Sequence, residues 1–461
     1  MTQQIPSELV TALRSAEGFS EENFLAIHAS GEQVVSVRMN PRKTSPALME
    51  QIPMNLVEGK VPWSTHGYYL RSRPSFTLDP LFHGGAYYVQ EASSMFLEQA
   101  LRQCCHLEQP LRVLDLCAAP GGKSTLIQSL ISEDSLLVSN ELIKGRANIL
   151  AENITKWGAA NVVVTNNAAK DFQKLPGFFD VIVVDAPCSG SGLFRKDPQA
   201  IDEWSVNNVI LCRDRQLRIL DEVMSALKPG GTLIYSTCSF SIEEDEQICD
   251  WLIANYPLVS AAISVDESWA IVETCSKERG AFGYRFYPDK VKGEGFFLAV
   301  FHNVGQDVDG KEGKPKSNSV VLQKSEQETA SRYIQNPGIY AFLKWNDMVL
   351  AMRASVYPAF LRLQANLYLK KAGVNLGTIV RDQLVPDHEL ALSTIVSDAI
   401  TSIEVGEDLA LDFLRRKDIK INTDANGWAM IKYRHCTLGL VKILPNRVNN
   451  YYPREWRILN M

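Results

Sequence analysis

A chain of 461 residues, 46% hydrophobic and 22% charged, has the composition of a soluble globular protein with room for several domains and a sizeable core. Its net charge of −6 is uneven: residues 411–461 hold ten Lys/Arg against four Asp/Glu, a surplus of six, which leaves −12 for the other 410 residues. Nine cysteines, an odd number with no Cys-x-x-Cys pair, argue against a disulfide framework or a zinc site. No metal is expected, and the setting is expected to be reduced and cytoplasmic. The first residues lack the basic and apolar regions of a signal peptide, and no apolar run approaches the roughly 20 residues of a membrane span.

Residues 1–80 read as an α+β region of their own, containing "SVRMNPRK" at 36–43. Residues 81–303 alternate short apolar runs with helical stretches. "RVLDL", "SLLVSN", "NVVVTN", "DVIVVD" and "TLIYSTC" predict five strands. "GRANILAENITKWG" and "CRDRQLRILDEVMSALKPGG" predict helices between them. That alternation specifies an α/β fold, a mostly parallel sheet with helices on both faces, and "GFFLAVF" at 295–301 adds a late antiparallel strand. Residues 304–330, rich in Gly, Lys, Ser and Gln, read as a linker. Residues 331–461 read as a C-terminal unit with strands such as "GWAMIKYR" and "LGLVKIL".

The first predicted strand runs into Cys117-Ala118-Ala119-Pro120-Gly121-Gly122-Lys123, then a helix. A phosphate loop needs a glycine five positions before Gly122, and Cys117 stands there. The dinucleotide pattern G-x-G-x-x-G is absent as well, so an ATP-hydrolysing enzyme is excluded on the missing glycine. What remains is a tight turn placing helix amides before a ligand. In doubly wound sheets the ligand lies outside the carboxyl ends of the strands. Those ends carry Glu141 (an acid for two ribose hydroxyls), Asn166 and Asn167 (amides for an adenine edge), "DAPCSGSG" at 185–192 and "STCS" at 236–239. A ribose acid and a glycine turn without phosphate apparatus fit S-adenosylmethionine. The fold expected is a Rossmann-like methyltransferase.

"LDLCAAPGGKS", "DAPCSGSG" and "YSTCS", in this order, resemble the Nol/Nop/Sun family of RNA cytosine-5 methyltransferases; the resemblance spans residues 80–301. It implies Cys238 as nucleophile on carbon 6 of cytosine, Cys188 as the residue assisting product release, and Asp185 as the group holding ring nitrogen 3 or the amino group. The chemistry demands this, because carbon 5 becomes nucleophilic only once a thiolate has added to carbon 6. "TNNAAKD" departs from the family's frequent acid near Asn167. Lys123 stands where it could orient the cofactor carboxylate or the substrate. Arg195 and Lys196 in "FRKDP" are placed to meet RNA phosphates.

The target base must be unpaired or flipped. The basic C-terminal stretch, interleaved with Phe413, Trp428, Tyr433, Tyr451, Tyr452 and Trp456, has the composition for RNA. Its end, "NNYYPREWRI", is similar to the PUA-like domain of the family's ribosomal-RNA branch, and residues 1–80 to that branch's N-terminal RNA-binding extension. Arg447, Arg454 and Arg457 are the expected phosphate contacts. The expected substrate is small-subunit (16S) ribosomal RNA, with transfer RNA or a non-catalytic role in ribosome assembly as the alternatives. A DNA methyltransferase, which would use only its Pro-Cys motif, is disfavoured by the second, Thr-Cys motif.

Overall fold

The computed structural model describes residues 4–44, 56–306 and 320–459. Four sheets order the chain. The first runs β2 (Val57–Lys60), β3 (Gly67–Leu70), β1 (Val35–Met39), β4 (Tyr87–Val89), with β1 antiparallel to both neighbours. Because β4 completes this sheet, the N-terminal unit extends past the expected boundary at residue 80.

The five predicted core strands form as read: β5 (Arg112–Asp115), β6 (Leu136–Asn140), β7 (Val162–Thr165), β8 (Phe179–Asp185) and β9 (Leu227–Thr237). They lie parallel in the order β7-β6-β5-β8-β9, so the chain reverses direction of growth between β5 and β8. Buried on both faces, they are near-continuous runs of Val, Leu and Ile. Beyond β9 the sheet continues antiparallel. There β13 (Phe296–Asn303) pairs with β9, and β10 (Leu258–Ala261), β11 (Val272–Cys275) and β12 (Phe282–Phe286) follow outward.

The helix expected over 212–231 is displaced. It spans Val206–Val223, and "LKPGG" already belongs to β9. Gly230 (φ 72°) and Gly231 bulge the strand while keeping it against Asp180; a Cβ on Gly231 would sit 2.9 Å from the Asp180 carbonyl.

The C-terminal region differs most from expectation. Residues 320–330 are not linker: β14 (Val320–Val321) pairs with β15 (Tyr340–Trp345), and the helix Lys324–Ser331 buries Ala330. The remaining linker residues, 307–319, lie outside the described residues. The sheet is completed by β16 (Met348–Arg353), β18 (Val374–Val380) and β19 (Gln383–Pro386). Between them β17 (Leu369–Ala372) leaves to pair antiparallel with β7, extending the methyltransferase sheet. The last sheet comprises β20 (Thr401–Glu404), β21 (Gly427–Tyr433), β22 (Cys436–Leu444) and β23 (Arg447–Asn450).

This last sheet packs on the first. Val37, Met39, Leu81 and Tyr87 share one core with Phe413, Leu438 and Tyr452. At its edge His83 Nδ1 meets the Tyr452 hydroxyl at 3.3 Å. His388 stands edge-on to Tyr452 and Trp456, neither ring nitrogen having a partner among the described residues. Burial pushes both imidazoles down, His83 to about 4 and His388 to about 3. The unfolded chain binds these protons near pH 6.5, so the stability gained from keeping the rings neutral is complete above that pH and is lost as pH falls toward 4. Each imidazole should withdraw about 2 kcal/mol by pH 5. Denaturant unfolding of wild type and His388→Phe at pH 7 and pH 5 measures this, and the drop between the two pH values should be smaller by about 2 kcal/mol in the variant. An unchanged drop would acquit His388.

Candidate active site

The turn after β5 is shaped by its own sequence and by one helix. Gly121 adopts φ 117°, left-handed backbone that suits glycine, and caps the helix Gly122–Leu130. From the helix Lys144–Trp157, Arg146 Nη2 donates to the Ala119 carbonyl (2.7 Å) and Asn153 Nδ2 to that of Pro120 (2.8 Å). The Ala118 amide donates to the Asn140 carbonyl at 2.8 Å, tying the turn to the next strand. Cys117 lies in this turn with its thiol pushed up by burial, so it is a neutral wall rather than a nucleophile. Burial also raises the Asp115 carboxyl to about 7; one oxygen takes the Ser124 hydroxyl at 2.6 Å and the other has no partner among the described residues.

Glu141 is buried at the end of β6, one oxygen accepting the Ile143 amide at 2.8 Å and the other 3.5 Å from Arg146. Arg146 therefore holds both the glycine turn and the acid, a role that sequence reading missed; its position one turn into the helix after Glu141 was the available signal. Asn167 is a correction. Its side-chain nitrogen donates to the Tyr368 carbonyl and its oxygen accepts the Tyr368 amide, both at 2.9 Å, so the amide docks the segment leading into β17 instead of facing an adenine edge. Asn166 spends its amide on the Glu141 and Leu142 carbonyls (2.6 and 2.9 Å).

The register of β8 with β9 sets Asp185 opposite Ser236. Asp185 accepts from the Ser236 hydroxyl (2.9 Å) with one oxygen and from Lys123 Nζ (2.8 Å) with the other. Lys123 is only 13% exposed, not solvated; burial works against its charge, but Asp185 outweighs that and lifts its pKa. Just beyond, Cys188 Sγ and Cys238 Sγ stand 3.0 Å apart. Cys188 is pushed well above the usual thiol range, first by its hydrogen bond with Cys238, then by burial and the charge of its neighbour.

Glu244 holds the two cysteine loops together. Fully buried, it accepts from the Ser189 amide (2.8 Å), the Ser189 hydroxyl (2.5 Å), the Ser239 hydroxyl (2.6 Å) and Gln216 Nε2 (3.1 Å). Burial raises its pKa and these four donors oppose that rise. Gly192 lets the loops close: a Cβ there would lie 2.7 Å from the Cys238 carbonyl. Sequence reading missed Glu244, since "SIEEDEQ" offers several acids in a row.

Of the expected RNA contacts, Arg195 is overturned. Its side chain is 4% exposed, donating to the Glu32 carbonyl (2.7 Å) and the Gly293 carbonyl (3.2 Å) beside Glu294. It fastens the Pro-Cys loop to the N-terminal unit. Lys196, Arg447, Arg454 and Arg457 are exposed. Of the C-terminal aromatics, Phe413, Tyr433 and Tyr452 are core, while Tyr451 is 41% exposed against the edge of Trp428.

A doubly wound sheet, with a glycine turn after its first strand and polar loops at its carboxyl ends, defines a Rossmann-type methyltransferase. The family described as 16S rRNA methyltransferase RsmB/F matches residues 104–302, the N-terminal domain of 16S rRNA methyltransferase RsmF matches 5–92, and the methyltransferase RsmF PUA domain matches 401–458. Among curated relatives, ribosomal RNA small subunit methyltransferase F of Aeromonas hydrophila is 32% identical over 91% of this chain and 90% of its own. The protein of the same name from Pectobacterium atrosepticum is 28% identical over 98% and 95%. A methyltransferase homolog protein from Pyrococcus horikoshii superposes with a TM-score of 0.52 at 26% identity, over 65% of this chain and all of that one. NSun6 from the same organism, solved with SFG, shares the fold at 19% identity and a TM-score of 0.55, over 65% and 99%. The chain belongs to the RsmB/F family of 16S rRNA methyltransferases. No helix among the described residues is long and apolar enough to cross a membrane.

Glu244→Ala should strand the Ser189 amide in the interior and lower stability by about 1–3 kcal/mol, with methyl transfer falling alongside. Denaturant unfolding together with a methyl-transfer assay checks this. Wild-type stability and activity would show that the loops find their places without it.

Proposed function

We propose that this chain methylates carbon 5 of a cytosine in small-subunit ribosomal RNA, using S-adenosylmethionine and a covalent bond through Cys238. The observation that carries the reading is the Cys188–Cys238 pair, 3.0 Å apart beside Asp185 at the carboxyl ends of β8 and β9. The relatives' names, and the RNA-suited exposed basic residues of the last sheet, support ribosomal RNA as the substrate.

The residues present fit the cofactor. In the helix Gly122–Leu130 the Thr125 amide donates back to Gly121, so the amides of 122–124 precede that bond and suit a carboxylate. Glu141, held by Ile143 and Arg146, retains acceptor capacity for a ribose diol. When bound, S-adenosylmethionine supplies an electrophilic methyl group on a sulfonium.

The chain's own residues do the rest. Cys188 stays protonated beside Cys238, whose sulfur adds to carbon 6 as its own proton passes by way of Asp185 to ring nitrogen 3. Asp185, oriented by Lys123 and Ser236, holds ring nitrogen 3 or the amino group, so that the charge pushed into the ring as sulfur adds is met by a proton there. Once Cys238 is a thioether, its hydrogen bond and its charge no longer raise Cys188, though burial still does; Cys188 then gives its own proton to solvent and takes the one on carbon 5. Elimination then releases Cys238.

Cys238→Ala should abolish methyl transfer while S-adenosylmethionine still binds. Cys188→Ala should stall before elimination, and denaturing gels with labelled RNA should show a slow protein–RNA band that the double variant lacks. Normal turnover by Cys238→Ala would overturn the mechanism.

A further inference from the structure

"SVRMNPRK" turns most of its polar side chains inward. Ser36, Arg38 and Asn40 alternate along β1 and its end and are all buried; Arg38 and Asn40 reach the methyltransferase domain. Ser36 donates to the Gln90 carbonyl (2.5 Å), and Asn40 to those of Gly85 (3.0 Å) and Trp157 (3.1 Å). Lys43 donates to the Gly84 and Lys156 carbonyls at 3.0 and 2.5 Å.

Arg38 reaches furthest. It is 2% exposed, and its Nη2 donates to Thr125 Oγ1 (2.5 Å) and the Gly122 carbonyl (3.3 Å). Nη1 reaches Ser129 Oγ (3.3 Å) and the Thr125 carbonyl (3.5 Å), and Nε donates to Gln90 Oε1 (2.8 Å). The guanidinium carbon stands 4.7 Å from the Trp157 ring centroid. Among the described residues no carboxylate pairs with it, and burial pulls it down to about 9. A buried cation without a counter-ion is costly, and a methionine would pack here without that cost. What only the guanidinium provides is a fork gripping the first turn of the helix Gly122–Leu130. The next strand closes the same turn: a Cβ on Gly122 would lie 3.4 Å from Tyr88 Cε1 and 3.7 Å from Gln90 Cδ.

We propose that Arg38 is a positioning residue for the cofactor. It fixes the first helical turn so that the amides of 122–124 stand ready for the cofactor carboxylate, and its charge strengthens the positive end of that helix. The N-terminal unit is thereby part of the cofactor site. The proposal rests on the S-adenosylmethionine reading above.

Titration calorimetry and steady-state kinetics on the full chain test it. Arg38→Met should raise the S-adenosylmethionine Kd and KM about tenfold, leaving kcat at saturating cofactor and the RNA Kd within about twofold. Arg38→Lys, which keeps charge without the fork, should fall between. A folded Arg38→Met with unchanged cofactor Kd, or one losing cofactor and RNA affinity together with Tm, would overturn the proposal. Should Arg38→Met not fold, Gln90→Leu and Thr125→Val remove the partner atoms from the other side and should weaken cofactor binding about threefold each. Unchanged Kd in both would overturn it equally. If the wild-type chain binds no S-adenosylmethionine, the cofactor reading falls and this proposal with it; wild-type binding matched by Arg38→Met sinks this proposal alone.

Discussion

Asp185 and Ser236 sit opposite one another at the ends of adjacent parallel strands, and the chemistry of the molecule hangs on that register. Parallel pairing sends the Pro-Cys and Thr-Cys loops off the same edge in the same direction. Two thiols 50 positions apart in the chain thus meet at 3.0 Å. A slip of one residue would turn Asp185 to the opposite face of the sheet and separate it from Ser236. Glu244 then converts proximity into a fixed geometry by taking donors from both loops, and Gly192 removes the side chain that would hold them apart.

The same sheet explains why the chain is longer than its catalytic core. Its far edge is capped by β17, a strand lent by the C-terminal region and docked through Asn167. An open edge of a parallel sheet is a liability, and capping it also anchors the segments on either side. The N-terminal strand β1 has two working faces: Val37 and Met39 join the core shared with the last sheet, while Ser36 ties to Gln90, Arg38 to the helix after the glycine turn and Asn40, just past the strand, to the end of the helix Lys144–Trp157. The flanking units are therefore structural partners of the active site as well as candidates for RNA contact.

What could be read from the sequence follows a physical division. Parallel strands buried on both faces announce themselves as apolar runs, and the polar residues that end them gather at one edge of the sheet. Cys188, Cys238, Asp185 and the 117–123 turn were accordingly visible. Long-range polar partnerships leave no such trace. Asn167 looks like a ligand until Tyr368, two hundred residues on, claims both ends of its amide. Arg195 looks solvated until the Glu32 and Gly293 carbonyls enclose it. Among the acids after Cys238, only the folded loop shows that Glu244 turns inward. The linker boundary failed for a different reason, because β14 is too short and too polar in its surroundings to register as a strand.

On the function proposed here, these loops form 5-methylcytosine in small-subunit ribosomal RNA. Mapping that base across all cellular RNA, in cells with and without the gene, is the most direct measurement. Without the gene, one or more positions in small-subunit ribosomal RNA should lose the mark, transfer RNA should keep its own, and a Cys238→Ala copy should restore none of the loss. An unchanged ribosomal pattern with a missing transfer-RNA mark would contradict the substrate assigned here, and an unchanged pattern everywhere would contradict the activity itself.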